Sequence, residues 1–319
     1  METVMLVVML AVFGLAVGSF SCVVIDRLPM PLDEPNEFGE TFGMRPWGEV
    51  AGGRSRCSGC GTEVPAHLNI PVFAWLALRG KCRNCGATIG AFHPMVEALV
   101  PVLWIGLALS LGWGWTLIPM LWFVPVAVIV GVIDLRTLMV PTKLVWPAAA
   151  VSALLIGASA FAEGEVNIAI GAALGAAVLS GALFAIWFVR PDGLGFGDVR
   201  LAVLIGLHIG ALVGSGGKIL AVFAVVLTMG VAAIFGLILG GVLWALGNRR
   251  TAPVGAVPAA ETDGASQATD PSDIETDQEP EADVATGIAN LAVPFGPALL
   301  AAAYVVAVVS PQLIDNLGL

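Results

Sequence analysis

Eight long apolar runs dominate this chain, at about 3–25, 94–112, 115–133, 143–162, 166–189, 198–214, 218–246 and 293–312. A helix needs roughly 20 consecutive apolar residues to cross a bilayer. Within lipid the backbone has to satisfy its own hydrogen bonds, which leaves helices and closed barrels. Runs this long predict an all-α polytopic membrane protein with about eight transmembrane helices. The composition agrees, with 58% of the 319 residues hydrophobic and a mean hydropathy of +0.92. The first run begins Met1-Glu2, with neither a basic leader nor a small-residue cleavage site, and reads as a retained helix rather than a signal peptide.

Basic residues orient such a chain, because Lys and Arg concentrate in cytoplasmic loops. Seven of the 14 lie between the first two runs: Arg27, Arg45, Arg54, Arg56, Arg79, Lys81 and Arg83. With that stretch cytoplasmic, eight crossings put Arg136, Lys143, Arg190, Arg200, Arg249 and Arg250 on the same side, and only Lys218 opposite. The N-terminus is then on the outer side of the membrane. The formal charge of −10 misleads, since nine acidic residues and no Lys or Arg fall within 251–290. That segment, rich in Ala, Thr, Ser, Pro and Gly, cannot bury a core and reads as a disordered acidic cytoplasmic loop. No basic stripe suggests nucleic-acid binding.

The expected organisation is therefore a first helix over 1–25, a cytoplasmic module over 26–93, a transmembrane core over 94–250, the acidic loop over 251–290, and a last helix over 291–319. The module carries two matched pairs, Cys57-Ser58-Gly59-Cys60 and Cys82-Arg83-Asn84-Cys85. A two-residue spacer lets both thiolates of a pair reach one metal from a tight turn, for which Gly59 and Gly86 are suited. Four thiolates match tetrahedral zinc with no open position, hence a structural zinc-ribbon-like site. Disulfides or a redox pair are the alternatives, and a cytoplasmic setting disfavours stable disulfides. His67 and His93 flank the module and read as solvated. Cys22, alone in the first helix, reads as a small buried hydrophobe. The apolar stretch 68–80, with Trp75, is too short to span and is expected to pack at the membrane interface or under the helices.

Two carboxylates mark the edges of apolar runs: Asp134, before Leu135-Arg136, and Asp198, in Gly195-Phe196-Gly197-Asp198. Charge counting puts both on one side. Ionisable groups at such boundaries are costly to desolvate and are functional-site candidates. Two that converge can share a proton, one acting as base and the other as acid on a water. Gly195 and Gly197 leave Asp198 uncrowded and permit dihedrals that other residues resist. Taken singly, Asp198 also suits a helix N-cap and Asp134 a pairing with Arg136. His208 reads as a hydrogen-bonded core residue, and Arg200 as a residue that snorkels or steadies the carboxylates.

With these pieces in order along the chain, the sequence resembles the prepilin peptidases, the bacterial type IV leader peptidases. The resemblance rests on Gly18-Ser19-Phe20, Val23 to Pro29, the two cysteine pairs around Pro71–Gly80, Pro94-Met95-Val96-Glu97, Asp134 with Val140-Pro141, Gly195–Asp198 with Val199-Arg200, and Pro294-Phe295-Gly296-Pro297. It implies a GxGD-type membrane aspartyl endopeptidase that removes the basic leader of type IV prepilins or pseudopilins at the cytoplasmic face. It also implies N-methylation of the new N-terminus with S-adenosylmethionine as methyl donor. Asp134 and Asp198 match the family's catalytic aspartates, the four cysteines its zinc site, and Glu97 a family glutamate suited to substrate binding or methylation. Departures fall at Cys22, where the family often has Asn, at Thr142, where an acid is usual, and at Phe92-His93-Pro94, where Arg-Tyr-Pro is usual. A peptidase without methylation is the alternative within this reading. A proton-coupled transporter would need carboxylates deep in the spans and inverted repeats, and a presenilin-type protease looks different around its first aspartate and lacks the four cysteines. Asp33, Glu34, Glu37, Glu40 and Glu49 are expected to attract the basic leader.

Overall fold

The computed structural model describes residues 2–33, 42–65, 70–191, 194–247 and 294–317. The expected acidic loop at 251–290 lies outside the described residues, as does His67. Among the described residues, eight long helices form the bundle: α1 (Glu2–Arg27), α4 (Phe92–Leu111), α5 (Leu117–Thr137), α6 (Thr142–Glu163), α7 (Val166–Val189), α8 (Phe196–Leu212), α9 (Lys218–Gly247) and α10 (Phe295–Leu317). Seven of them are long and apolar enough to cross a membrane. The other, α8, has 17 residues. It compensates by being enclosed, since α5, α6, α7, α9 and α10 all pack on it. The chain is a multi-pass membrane protein.

Close backbone approach holds the bundle together. In lipid no hydrophobic force drives helix to helix, so small residues that admit dense packing decide which faces pair. Gly171 and Gly175 of α7 face Gly206 and Gly210 of α8 so tightly that a Cβ on any of the four would overlap the facing backbone. On α1, Gly14 and Gly18 do the same against α4, with added Cβ atoms 2.7 Å from Pro101 Cα and 2.7 Å from the Glu97 carbonyl oxygen. Pairs of glycines four residues apart are a sequence signature for such contacts.

The alternation of directions brings the C-termini of α1, α5 and α7 to the same end as the N-termini of α4, α6, α8 and α10. Arg136 of α5 bonds Asp26 of α1, Arg200 of α8 bonds Thr142 of α6, and Trp187 of α7 stacks on Phe196 of α8. Arg27, Arg136, Lys143, Arg190 and Arg200 thus share one end, while Lys218 opens α9 at the other. Between α1 and α4 lies a small module: an antiparallel ribbon of β1 (Pro29–Pro31) and β2 (Phe42–Met44), then the short helices α2 (Trp47–Ala51) and α3 (Phe73–Ala77).

Candidate active site

Three chain segments meet at the basic end. The first is the end of α5, where Leu138 takes a left-handed conformation (φ 54°, ψ 31°) and its amide returns to the Asp134 carbonyl at 2.8 Å. Pro141 then sets the start of α6. The second is the Gly195–Asp198 turn into α8, with the Asp198 amide bonded to the Gly195 carbonyl at 3.0 Å. The third is the first turn of α10, which begins at Phe295 and carries Pro297, a residue the open amides of a first helical turn tolerate.

Asp134 and Asp198 are both buried, at 4% and 7% exposure, and they converge on Gly296. A Cβ built there would lie 2.6 Å from Asp134 Oδ2 and 3.4 Å from Asp198 Oδ1. Those two oxygens are therefore within about 6 Å of each other, the range in which one carboxylate strongly influences the other. Asp134 Oδ2 is buried without a protein hydrogen-bond partner, an orphan acceptor of the kind that catalytic sites and bound waters account for. The single-residue alternatives do not hold. Gly195 occupies the N-cap of α8 with no side-chain cap, and Arg136 turns away from Asp134 to bond Asp26 Oδ1 at 3.0 Å and to stack on Phe92.

The glycines of the turn act differently from expectation. Neither Gly195 nor Gly197 has a positive φ, so unusual dihedrals are not their reason. Gly197 is required for space, because its Cβ would sit 2.8 Å from Val140 Cβ, which locks the turn onto the segment after Asp134. Gly195 has room, its Cβ being 3.6 Å from Asp198 Oδ2, and leaves that carboxylate approachable. Gly296 was not singled out as a site residue from the sequence. Its signal was the Pro-Phe-Gly-Pro motif, whose glycine has meaning only beside two oxygens far away in the chain.

Arg200 donates to Thr142 Oγ1 at 2.6 Å and stacks on Phe196. It stitches α8 to α6 and makes no ion pair with Asp134 or Asp198. His208 is fully buried, with Nδ1 2.8 Å from the Leu204 carbonyl and its ring on Phe123, while its Nε2, like Asp134 Oδ2, has no hydrogen-bond partner among the described residues. Cys22 is likewise buried in the core. His93 meets Asp26 Oδ2 at 2.6 Å, so the Phe92-His93 departure joins a cluster with Asp26 and Arg136. Glu97 accepts the Val72 amide at 2.7 Å.

The four cysteines come together at one point. Their sulfurs all lie within 4.8 Å of one another, and those of Cys57 and Cys85 are 3.8 Å apart. Zinc–sulfur bonds of about 2.3 Å in a tetrahedron set neighbouring sulfurs about 3.8 Å apart, so the donor set and its dimensions fit a structural metal. No cysteine among the described residues is disulfide-bonded. The two knuckles repeat one geometry: the Gly61 amide bonds the Cys57 carbonyl, the Gly86 amide bonds the Cys82 carbonyl, and both glycines have positive φ. Gly61, rather than Gly59, is thus the counterpart of Gly86. Gly59 serves by its small size, facing Ala87 and the Cys85 sulfur. The Thr62 hydroxyl, followed by its backbone, draws the Cys60 thiol down to about 6. The amides of Cys85 and Asn84 lower that of Cys82.

Two family profiles cover most of the chain. The one described as the type IV leader peptidase family matches residues 121–241, and the bacterial peptidase A24 N-terminal domain matches 12–111. A prepilin leader peptidase/N-methyltransferase of Aeromonas hydrophila is 34% identical over 62% of this chain and 71% of its own length. The chain belongs to the type IV leader peptidase family. Proteins of the same name from Myxococcus xanthus and Stutzerimonas stutzeri are 35% and 31% identical. The alignments cover 62% of this chain and 55% of the first, and 61% of this chain and 70% of the second. No solved structure matches this chain.

Proposed function

We propose that this family member is a membrane aspartyl endopeptidase that removes the leader of type IV prepilins or pseudopilins and N-methylates the residue so exposed. The observation that carries the peptidase reading is the convergence of Asp134 and Asp198 on Gly296. A water held between the carboxylates loses a proton to the ionised one while its oxygen attacks the scissile carbonyl. The protonated partner donates to the carbonyl oxygen. Collapse of the tetrahedral species returns a proton to the departing nitrogen, the C–N bond breaks, and the pair again holds one proton. The two act as a coupled pair, so neither is assigned as the permanent acid. The open Gly195 flank leaves room for an extended peptide beside Asp198.

The basic end is assigned to the cytoplasm on the strength of the Lys and Arg distribution. An apolar substrate helix enters from the bilayer and presents its leader junction at that edge. Cys57, Cys60, Cys82 and Cys85 would hold a zinc ion, which would cross-link the two knuckles as a structural site with no open position for hydrolysis. S-adenosylmethionine is assigned as methyl donor from the family. It would supply an electrophilic methyl group to the newly exposed amine. The organisation into a first helix, a cytoplasmic metal module and a transmembrane peptidase core belongs to the same reading.

Co-expression with a prepilin tests this directly. Wild type removes the leader, whereas Asp134→Ala and Asp198→Ala each leave the prepilin intact; cleavage by both variants overturns the assignment. Mass spectrometry of the mature N-terminus, with an added methyl group expected, reads the second activity.

A further inference from the structure

The metal module is tied to the long helices through its ribbon, where Lys143 of α6 donates to the Met44 carbonyl at 3.3 Å, and beside each cysteine pair. On the side of the first cysteine pair, α2 buries Val50 against α1, and Arg27 Nη1 donates to the carbonyls of Val50, at 3.3 Å, and Gly52. On the side of the second pair, residues 70–89 form one unit. Trp75 Nε1 bonds the Ile89 carbonyl at 3.0 Å, and the Ile89 amide bonds the Gly80 carbonyl at 2.7 Å. Among the described residues, one hydrogen bond joins this unit to a long helix: the Val72 amide donates to Glu97 Oε2 of α4 at 2.7 Å.

Val72 is an unusual residue to find there. Its φ is 60° and its ψ −50°, and the Phe73 amide bonds across it to the Pro71 carbonyl at 2.6 Å. This is a γ-turn of the strained hand, centred on a β-branched residue. Such a conformation persists only where its surroundings over-determine it. Glu97 engages the turn's own amide, and its backbone is in turn pressed against Gly18 of α1.

We propose that Glu97 is a positioning residue whose carboxylate clamps the Val72 turn and so fixes the second half of the metal module against the α1–α4 face. The role differs from direct contact with substrate or methyl donor, and it rests on the leader-peptidase reading only for its functional readout. It predicts that an acceptor, rather than a charge, is what position 97 supplies.

Hydrogen–deuterium exchange on the metal-loaded full chain in detergent tests the clamp. In Glu97→Ala the Val72 amide exchanges at least about ten-fold faster than in wild type, while in Glu97→Gln, which keeps a carbonyl acceptor, it stays within about two-fold. Adding Val72→Gly to Glu97→Ala relieves the backbone strain. It is expected to restore part of the protease resistance of residues 70–80 and to raise the methylated fraction of cleaved pilin above that of Glu97→Ala alone. Exchange in Glu97→Gln as fast as in Glu97→Ala overturns the proposal, as does an unchanged Glu97→Ala or a Val72→Gly that rescues nothing. Wild-type protein that fails to cleave prepilin defeats the proposed function, yet leaves the exchange result to decide the clamp.

Discussion

Replacing Gly296 by alanine separates folding from catalysis. The added methyl lies 2.6 Å from Asp134 Oδ2 and 3.4 Å from both Asp134 Cγ and Asp198 Oδ1, so the Asp134 carboxylate has to swing away. Alanine is a better helix former than glycine by about 1 kcal/mol, and overpacking costs roughly 1–3 kcal/mol. The two largely offset, and the stability change should stay below about 2 kcal/mol. Catalysis has no such compensation, because the methyl occupies the space between the carboxylates and moves one of them. A misplacement of about 1 Å lowers turnover on the order of 100-fold. The assay is leader removal by purified protein over a range of prepilin concentrations, with thermal unfolding in the same detergent. The expected result is a large fall in kcat, little change in KM and a nearly unchanged melting temperature. Wild-type kcat in Gly296→Ala would refute the idea that both carboxylates work across the face of that glycine.

Other variants probe the scaffold and the module. Gly175→Val drives a side chain into the Gly206 carbonyl and should destabilise the protein by about 1–3 kcal/mol or more; an unaltered thermal transition in detergent argues against the α7–α8 contact. Native mass spectrometry should find one zinc per wild-type chain and none in Cys57→Ser or Cys82→Ser, so zinc retained by both variants contradicts a four-thiolate site. Neutralising Asp33, Glu34, Glu37, Glu40 and Glu49 together should raise the KM for prepilin at low salt, with the difference shrinking at high salt. No salt-dependent difference removes the electrostatic account of leader capture.

The helices were legible because a bilayer-length apolar run is a local property, and all eight long helices fall on the expected runs. Asp134 and Asp198 stood out for a similar reason, as charges at the ends of apolar segments. What lay hidden was relational. Gly296 matters because of two oxygens some 100 and 160 positions earlier in the chain, and no window of sequence contains that fact. Gly197 was expected to supply dihedrals that other residues resist, but it has no positive φ and instead leaves space for Val140. The glycines at 171, 175, 206 and 210 carry a spacing that announces close helix contact, although not which helix answers. The β1–β2 ribbon, three residues per strand and with prolines at both ends of β1, offers almost no strand signal.

The position of Gly296 also has a bearing on how the enzyme is made. Asp134 and Asp198 enter the bilayer with α5 and α8, well before α10 has left the ribosome, and until then the space between them lacks its third wall. On the proposed peptidase reading, hydrolytic competence then waits for the last helix, since a chain stalled before residue 295 holds both acids without the glycine that lies against them.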